Sequence, residues 1–254
     1  MSNQLTFWSG RLKAAGIHLA ISLSIALLAA LLVFFVWYPY PYREISGGRE
    51  LFLLVVAVDV VMGPLMTLAV FNLNKSRKEL RRDLAVIAAL QLAALSYGLW
   101  TVSVARPVHL VFEIDRFRVV HAIDIEPVLL ERAPASLQRL PLTGPTLLAI
   151  REFKGSQESF DATMAALQGA HLGARADLWQ VYAHAKPRVL AAAMPLAQLK
   201  KRFPAWAAEL DRVAAATAGG NAVYLPIAGR NSFWTAIIHP QTAEVVGFVP
   251  LDPY

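Results

Sequence analysis

The first hundred residues alternate between long apolar runs and short polar joints. Residues 17–38 contain no charge. At about 1.5 Å of rise per residue the run reaches about 33 Å, enough to cross a hydrocarbon core of about 30 Å. Arg11 and Lys13 precede it as the basic part of a cleaved signal peptide would, but the run is too long for one and ends in bulky Trp37, Tyr38 and Pro39. An uncleaved anchor is predicted. Residues 51–71 form a second run, interrupted by Asp59. That carboxylate costs about 2.5–3.5 kcal/mol at the centre of a span, and the Leu, Val and Phe residues of the same window return about 0.3–0.6 kcal/mol each, so insertion wins. Residues 84–104 carry nothing more polar than Gln91, Ser96, Tyr97, Thr101 and Ser103, and make a third span.

Beyond residue 106 the period changes. Residues 108–114 and 117–124 alternate as a hairpin does, around Asp115 and Arg116, and 146–153 is a further candidate strand. Ser156 is placed to cap a helix with Glu158 and Asp161 in its first turns. Pro195 suits the start of a helix that buries Leu196, Leu199 and Phe203. Pro204 restarts one with Trp206, Leu210 and Val213 inward, ended by Gly219 and Gly220. Strand patterns return at 222–227, 233–239 and 244–249. The fold class predicted is a membrane protein with three transmembrane α-helices (residues 1–106), followed by a soluble α+β domain (107–254). Its terminal hairpins share one antiparallel sheet covered on one face by helices.

Composition supports this division. Of the chain's 254 residues 56% are hydrophobic and 17% charged, against about 45–50% and 25% in ordinary soluble domains. The net charge of +6 resides almost wholly in the apolar part, where residues 1–106 hold 10 basic and 5 acidic side chains; residues 107–254 hold 14 and 13. Such a distribution orients a membrane protein and argues against nucleic acid as a partner. Arg11, Lys13 and the joint of Lys75, Arg77, Lys78, Arg81 and Arg82 outweigh Arg43 and Arg49 of the first joint, which predicts a cytoplasmic N-terminus. Three crossings then put the C-terminal domain outside, in a bacterium the periplasm, with Trp37, Tyr38, Tyr40 and Tyr42 as an outer aromatic belt. The basic joint is read first as an attraction to anionic lipid and second as a docking patch for a cytoplasmic protein.

Each span also carries a small or polar stripe at helical spacing: His18, Ser22, Ala26 and Ala29; Asp59, Gly63 and Thr67; Gln91, Ala94, Gly98 and Thr101. Such faces turn away from lipid, toward each other or toward a guest helix. The candidate partner-binding residues are therefore Asp59, Gly63, Pro64, Thr67, His18 and Gln91. An intramembrane carboxylate is a functional candidate in its own right, and Pro64 loosens the helix beside it. The alternative for Asp59 is bundle packing, with its side chain bonded to His18, Gln91 or a freed carbonyl.

Catalytic chemistry is sparse. The chain has no cysteine, its six histidines lack metal-ligand spacing, and it contains no G-x-S-x-G, S-x-x-K, G-x-G-x-x-G or Walker loop. Glu113 with Asp115, and Asp124 with Glu126, are candidate carboxylate pairs for a glycan-cleaving site, but exposed hairpin acids are the commoner arrangement. No enzyme activity, cofactor or metal is expected.

Five segments carry a resemblance: FWSGRLKAAGIHLAISLS, FFVWYPYPY, SGGRELFLLVVAVDVVMGPLMTLAVFN, KSRKELRRDLAVIAALQLAALSYGLWTV and ARPVHLVFEIDRFRVV. In this order they resemble the TfpX/TfpZ family of type IV pilin accessory proteins, closely over about the first 125 residues. The resemblance implies an inner-membrane, chaperone-like protein that assists the stability or pilus assembly of a type IV major pilin, with membrane lipid and other pilus assembly proteins as further partners. It carries no active site. Asp59, Gly63 and Pro64 belong to the shared pattern. The rival readings are a membrane enzyme modifying pilin or a glycan, and a membrane-anchored periplasmic sensor.

Overall fold

The computed structural model describes residues 2–72, 75–215, 221–230 and 232–254. Gly219 and Gly220, the predicted helix stop, lie outside them. Among the described residues three helices are long and apolar enough to cross a membrane: Trp8–Trp37 (30 residues), Gly48–Val70 (23) and Arg77–Val104 (28). The first runs as α-helix from Ser2 and passes into a π-helical stretch over Leu32–Trp37. The second is α-helical at Gly48–Ala57 and Gly63–Val70 and π-helical at Val58–Met62. The third begins earlier than its apolar run. Ser76 and Glu79 cap it reciprocally, the Ser76 N–H donating to Glu79 (3.0 Å) and the Glu79 N–H to the Ser76 hydroxyl (3.3 Å). Arg77, Lys78, Arg81 and Arg82, expected in a joint, therefore stand on its first turns.

Contacts divide the chain into two units, Met1–Val36 with Gly48–Val104 and Trp37–Gly47 with Ala105–Tyr254. In the first, the first and third helices each pack on the second. Gly98 permits the approach of the third helix to the second, because a Cβ there would lie 2.5 Å from Val55 Cγ1.

In the second unit, among the described residues, eight strands form one sheet: β1 (Pro107–Phe112), β2 (Phe117–His121), β3 (Thr146–Ile150), β4 (Trp179–Val181), β5 (Met194–Pro195), β6 (Val223–Ala228), β7 (Phe233–Ile238) and β8 (Val245–Val249). The order is β4-β3-β1-β2-β6-β7-β8, with β5 beside β6. The two predicted hairpin regions do share a sheet, but it is mixed. β3 runs parallel to β1 and β6 parallel to β2. Long connections, through Pro127–Glu131 before β3 and through several helices before β6, allow the chain to return to the starting end of the sheet, as parallel pairing requires.

Both faces of the sheet are covered, not one. Alternation along β1 and β2, reset by an irregularity in register between Pro107 and His109, sends Leu110, Phe112, Phe117 and Val119 into one core and Val108, Val111 and Val120 into another, and a third core forms where Leu196, Leu199 and Leu210 meet Tyr224 and Ile237. The first core contains Tyr42 and Ile45 from the joint between the first two helices. That joint does not form a free aromatic belt: Tyr38, Tyr42 and Ile45 are buried, and Tyr40 packs edge-on against Trp234. Gly229 makes room for it, since a Cβ would stand 2.5 Å from Ile45 Cγ2 and 2.9 Å from the Ile45 carbonyl. The helix Ser156–Leu167 follows Gly155 and has no side-chain cap, so Ser156 is its first residue and not its cap.

Candidate functional site

Pro64 has no N–H, so one carbonyl of the preceding turn loses its donor: Val60 in an α-helical register, Asp59 in the five-residue register of a π-helix. The backbone widens there into the Val58–Met62 π segment, and the carbonyl of Asp59 accepts instead from Gln91 Nε2 of the third helix, at 3.1 Å. Gly63 leaves the space that the Gln91 amide occupies. One turn further on, Thr67 Oγ1 bonds His18 Nδ1 of the first helix at 2.5 Å. The stripe Asp59, Gly63 and Thr67 is buried, with its neighbours on both sides engaged through polar side chains.

All six sequence candidates thus gather on and around the second helix, but the packing partners suggested for the Asp59 carboxylate are engaged elsewhere. His18 is bonded to Thr67, and Gln91 reaches the Asp59 backbone rather than its side chain. Asp59 is 9% exposed, and its Oδ1 is buried without a hydrogen-bond partner. The third stripe is divided: Gly98 serves helix packing, and Thr101 Oγ1 bonds the Tyr97 carbonyl of its own helix.

Asp59 forms the floor of a half-open cleft of about 240 Å³. His18, Ser22 and Ala26 of the first helix line one wall, Ala88 and Gln91 of the third line the other, and Ile21, Ile25, Leu92 and Leu95 make most of its surface aliphatic. The apolar wall residues were not legible as a site, because in sequence they are indistinguishable from lipid-facing ones. Their grouping depends on how the helices rotate. The cleft can seat an apolar group and offers it one carboxylate.

Three of the four candidate catalytic acids have other partners, and the fourth, Glu126, is exposed. Glu113 accepts from Arg118 Nε (2.9 Å) and from the Gly173 N–H (2.8 Å). Asp115 pairs with Arg116 at 2.7 Å, and Asp124 with His121 at 3.0 Å and Arg230 at 2.8 Å. Among the described residues no group of three or more His, Asp or Glu is placed to hold a metal ion. Burial pushes His109 down to about 4; its Nδ1 bonds Thr146 Oγ1 at 2.7 Å and its ring stands edge-on to Trp179.

The profile of a family described as fimbrial assembly protein FimB matches residues 6–47. The fimbrial assembly protein of serogroup I of Dichelobacter nodosus is 36% identical over 248 residues, covering 95% of this chain and 95% of its own. The serogroup E1 protein of that organism is 35% identical over 248 residues with the same coverage. A third, of serogroups C1 and C2, is 44% identical over 122 residues, 48% of this chain and 91% of its own. No solved structure matches. Because the two longer relatives align with both the helical unit and the sheet domain, this chain belongs to the family of fimbrial assembly proteins.

Proposed function

We propose that this protein is an inner-membrane accessory factor that holds a type IV pilin subunit before it enters the fimbria, in the manner of the TfpX/TfpZ proteins that its N-terminal half resembles. The observation that carries the reading is the cleft, in which three membrane helices leave polar and small residues facing a space large enough for part of a guest helix. A fimbrial subunit stored in lipid needs its apolar helix shielded from wrong association and later released, and a half-open seat of modest affinity meets both needs. The names of the relatives support the process. The role requires no turnover, in keeping with the ion pairs that occupy Glu113, Asp115 and Asp124.

The proposed orientation has the N-terminus in the cytoplasm and the sheet domain in the periplasm. Two observations support it. Cations favour the N-terminus and the second joint. The first joint folds into the same unit as Ala105–Tyr254, as it can only if both occupy one side of the membrane. A detergent-extract pull-down of the tagged chain should recover the fimbrial subunit, and deletion of the chain should lower surface fimbriae. Normal fimbriation in the deletion strain would overturn the reading. A reporter fused at Tyr254 that is active in the cytosol would overturn the orientation.

A further inference from the structure

The carboxylate of Asp59 has no reason of packing to be where it is. Its Oδ1 is buried and unpartnered, His18 and Gln91 are engaged elsewhere, and most of the surface around it is aliphatic. A bare carboxylate in hydrocarbon is strongly disfavoured, and a cation brought against it removes most of that penalty for both charges. At about 240 Å³ the cleft is smaller than the roughly 300–1,000 Å³ of pockets for drug-sized ligands, so it admits a group the size of one side chain. Its walls, Ile21, Ile25, Leu92 and Leu95, require that the charge arrive on an apolar carrier.

We propose that Asp59 is a counter-ion for a single primary ammonium group, carried by the guest transmembrane helix at the depth of the cleft. This rests on the reading that the chain holds a fimbrial subunit by its helix, and adds what the seat recognises. Gln91 and Pro64 are positioning residues: the proline frees the Asp59 carbonyl, and the glutamine fixes that backbone, so the side chain is left pointing at the cleft instead of at its own helix. Aliphatic contact gives affinity without selectivity, and the ion pair selects among apolar helices.

The test uses the full chain reconstituted in zwitterionic vesicles with a synthetic apolar helix of about 20 residues bearing one central lysine, and with leucine and glutamate twins of that helix. Binding is read by energy transfer between labels. The lysine helix should bind at least about tenfold more tightly than the leucine twin, with the advantage lost in Asp59→Asn and kept in Asp59→Glu. Leu54→Ala, at an exposed position outside the cleft, should bind all three helices as the native chain does, and circular dichroism of both Asp59 variants reports that their helices are intact. Equal binding of lysine and leucine helices, tighter binding of the glutamate helix, or a lysine preference that survives Asp59→Asn would each overturn the proposal. Recovery of the fimbrial subunit without a lysine preference would remove the counter-ion and leave the holding role standing. A lysine preference without recovery of the subunit would do the reverse.

Discussion

Gly63 lacks a side chain so that Gln91 can have one: a Cβ at position 63 would lie 1.9 Å from Gln91 Nε2 and 2.7 Å from its Cδ. The amide held in that gap donates to the Asp59 carbonyl, which in the five-residue register of the π segment would face Pro64 and find no donor there. A glycine, a glutamine and a proline, unremarkable singly, are one device for holding an irregular backbone inside a membrane, where water cannot satisfy it.

Gly63→Ala should displace the Gln91 amide and lose its hydrogen bond. The cost is about 1 kcal/mol, the scale of interhelical hydrogen bonds in membranes. Gln91→Leu should cost a similar amount and the double variant little more than either, measured by thermal unfolding in detergent. Additive losses would show that the two residues act separately.

Ile45 lies between two membrane helices in sequence yet is 1% exposed within the core of the sheet domain. Ile45→Ala should destabilise that domain by about 2–5 kcal/mol. Gly229→Ala should act in the same direction, because its Cβ meets Ile45 on one side and the Ser232 carbonyl, 2.9 Å away, on the other. Limited proteolysis of the detergent-solubilised chain should cut the sheet domain faster in both. Leu54→Ala, at a 67% exposed position of the second helix, should leave the rate unchanged.

Burial holds His109 neutral, its folded value of about 4 lying below the ordinary 6.5. Between those limits the unfolded chain takes up a proton that the folded chain refuses. His109 therefore contributes stability that is fully present above pH 6.5 and is lost as pH falls toward 4, about 3 kcal/mol in all. Denaturant unfolding across this range should show the decline, and His109→Gln should flatten it. An unchanged slope in the variant would assign the decline to other groups.

Glu113 is a buried carboxylate joining β1 to Arg118 on β2 and to the Gly173 N–H. Glu113→Ala leaves Arg118 and that N–H unpaired. The cost should be about 2 kcal/mol, below the 3–5 kcal/mol of a fully buried pair because Arg118 reaches solvent. Glu113→Gln, which can still accept from Gly173, should recover part of it in the same unfolding measurement.

Local pattern was sufficient for the elements. Twenty uncharged positions in a row, or short runs of branched and aromatic residues from residue 108, leave the backbone little choice, because hydrogen-bond satisfaction in lipid and the fit of such side chains to a strand are decided within the segment. The six polar or small positions around the second helix were legible for the same reason: a carboxylate, a proline and a glycine at helical spacing in an apolar run are rare enough to stand out. Segments with weak periodicity were not legible, such as the three-residue β4 and the two-residue β5, whose strand character comes from the neighbours they pair with.

Sequence alone therefore determined that there are three spans, a sheet domain and a polar focus at Asp59. Only the tertiary structure decided that the sheet is mixed, that Trp37–Gly47 folds into the sheet domain, and that His18 and Gln91 bond Thr67 and a backbone carbonyl while the Asp59 side chain goes without. The physical reason is that rotation of a helix about its axis and the pairing of distant strands are set by contacts between segments, and no segment carries that information by itself.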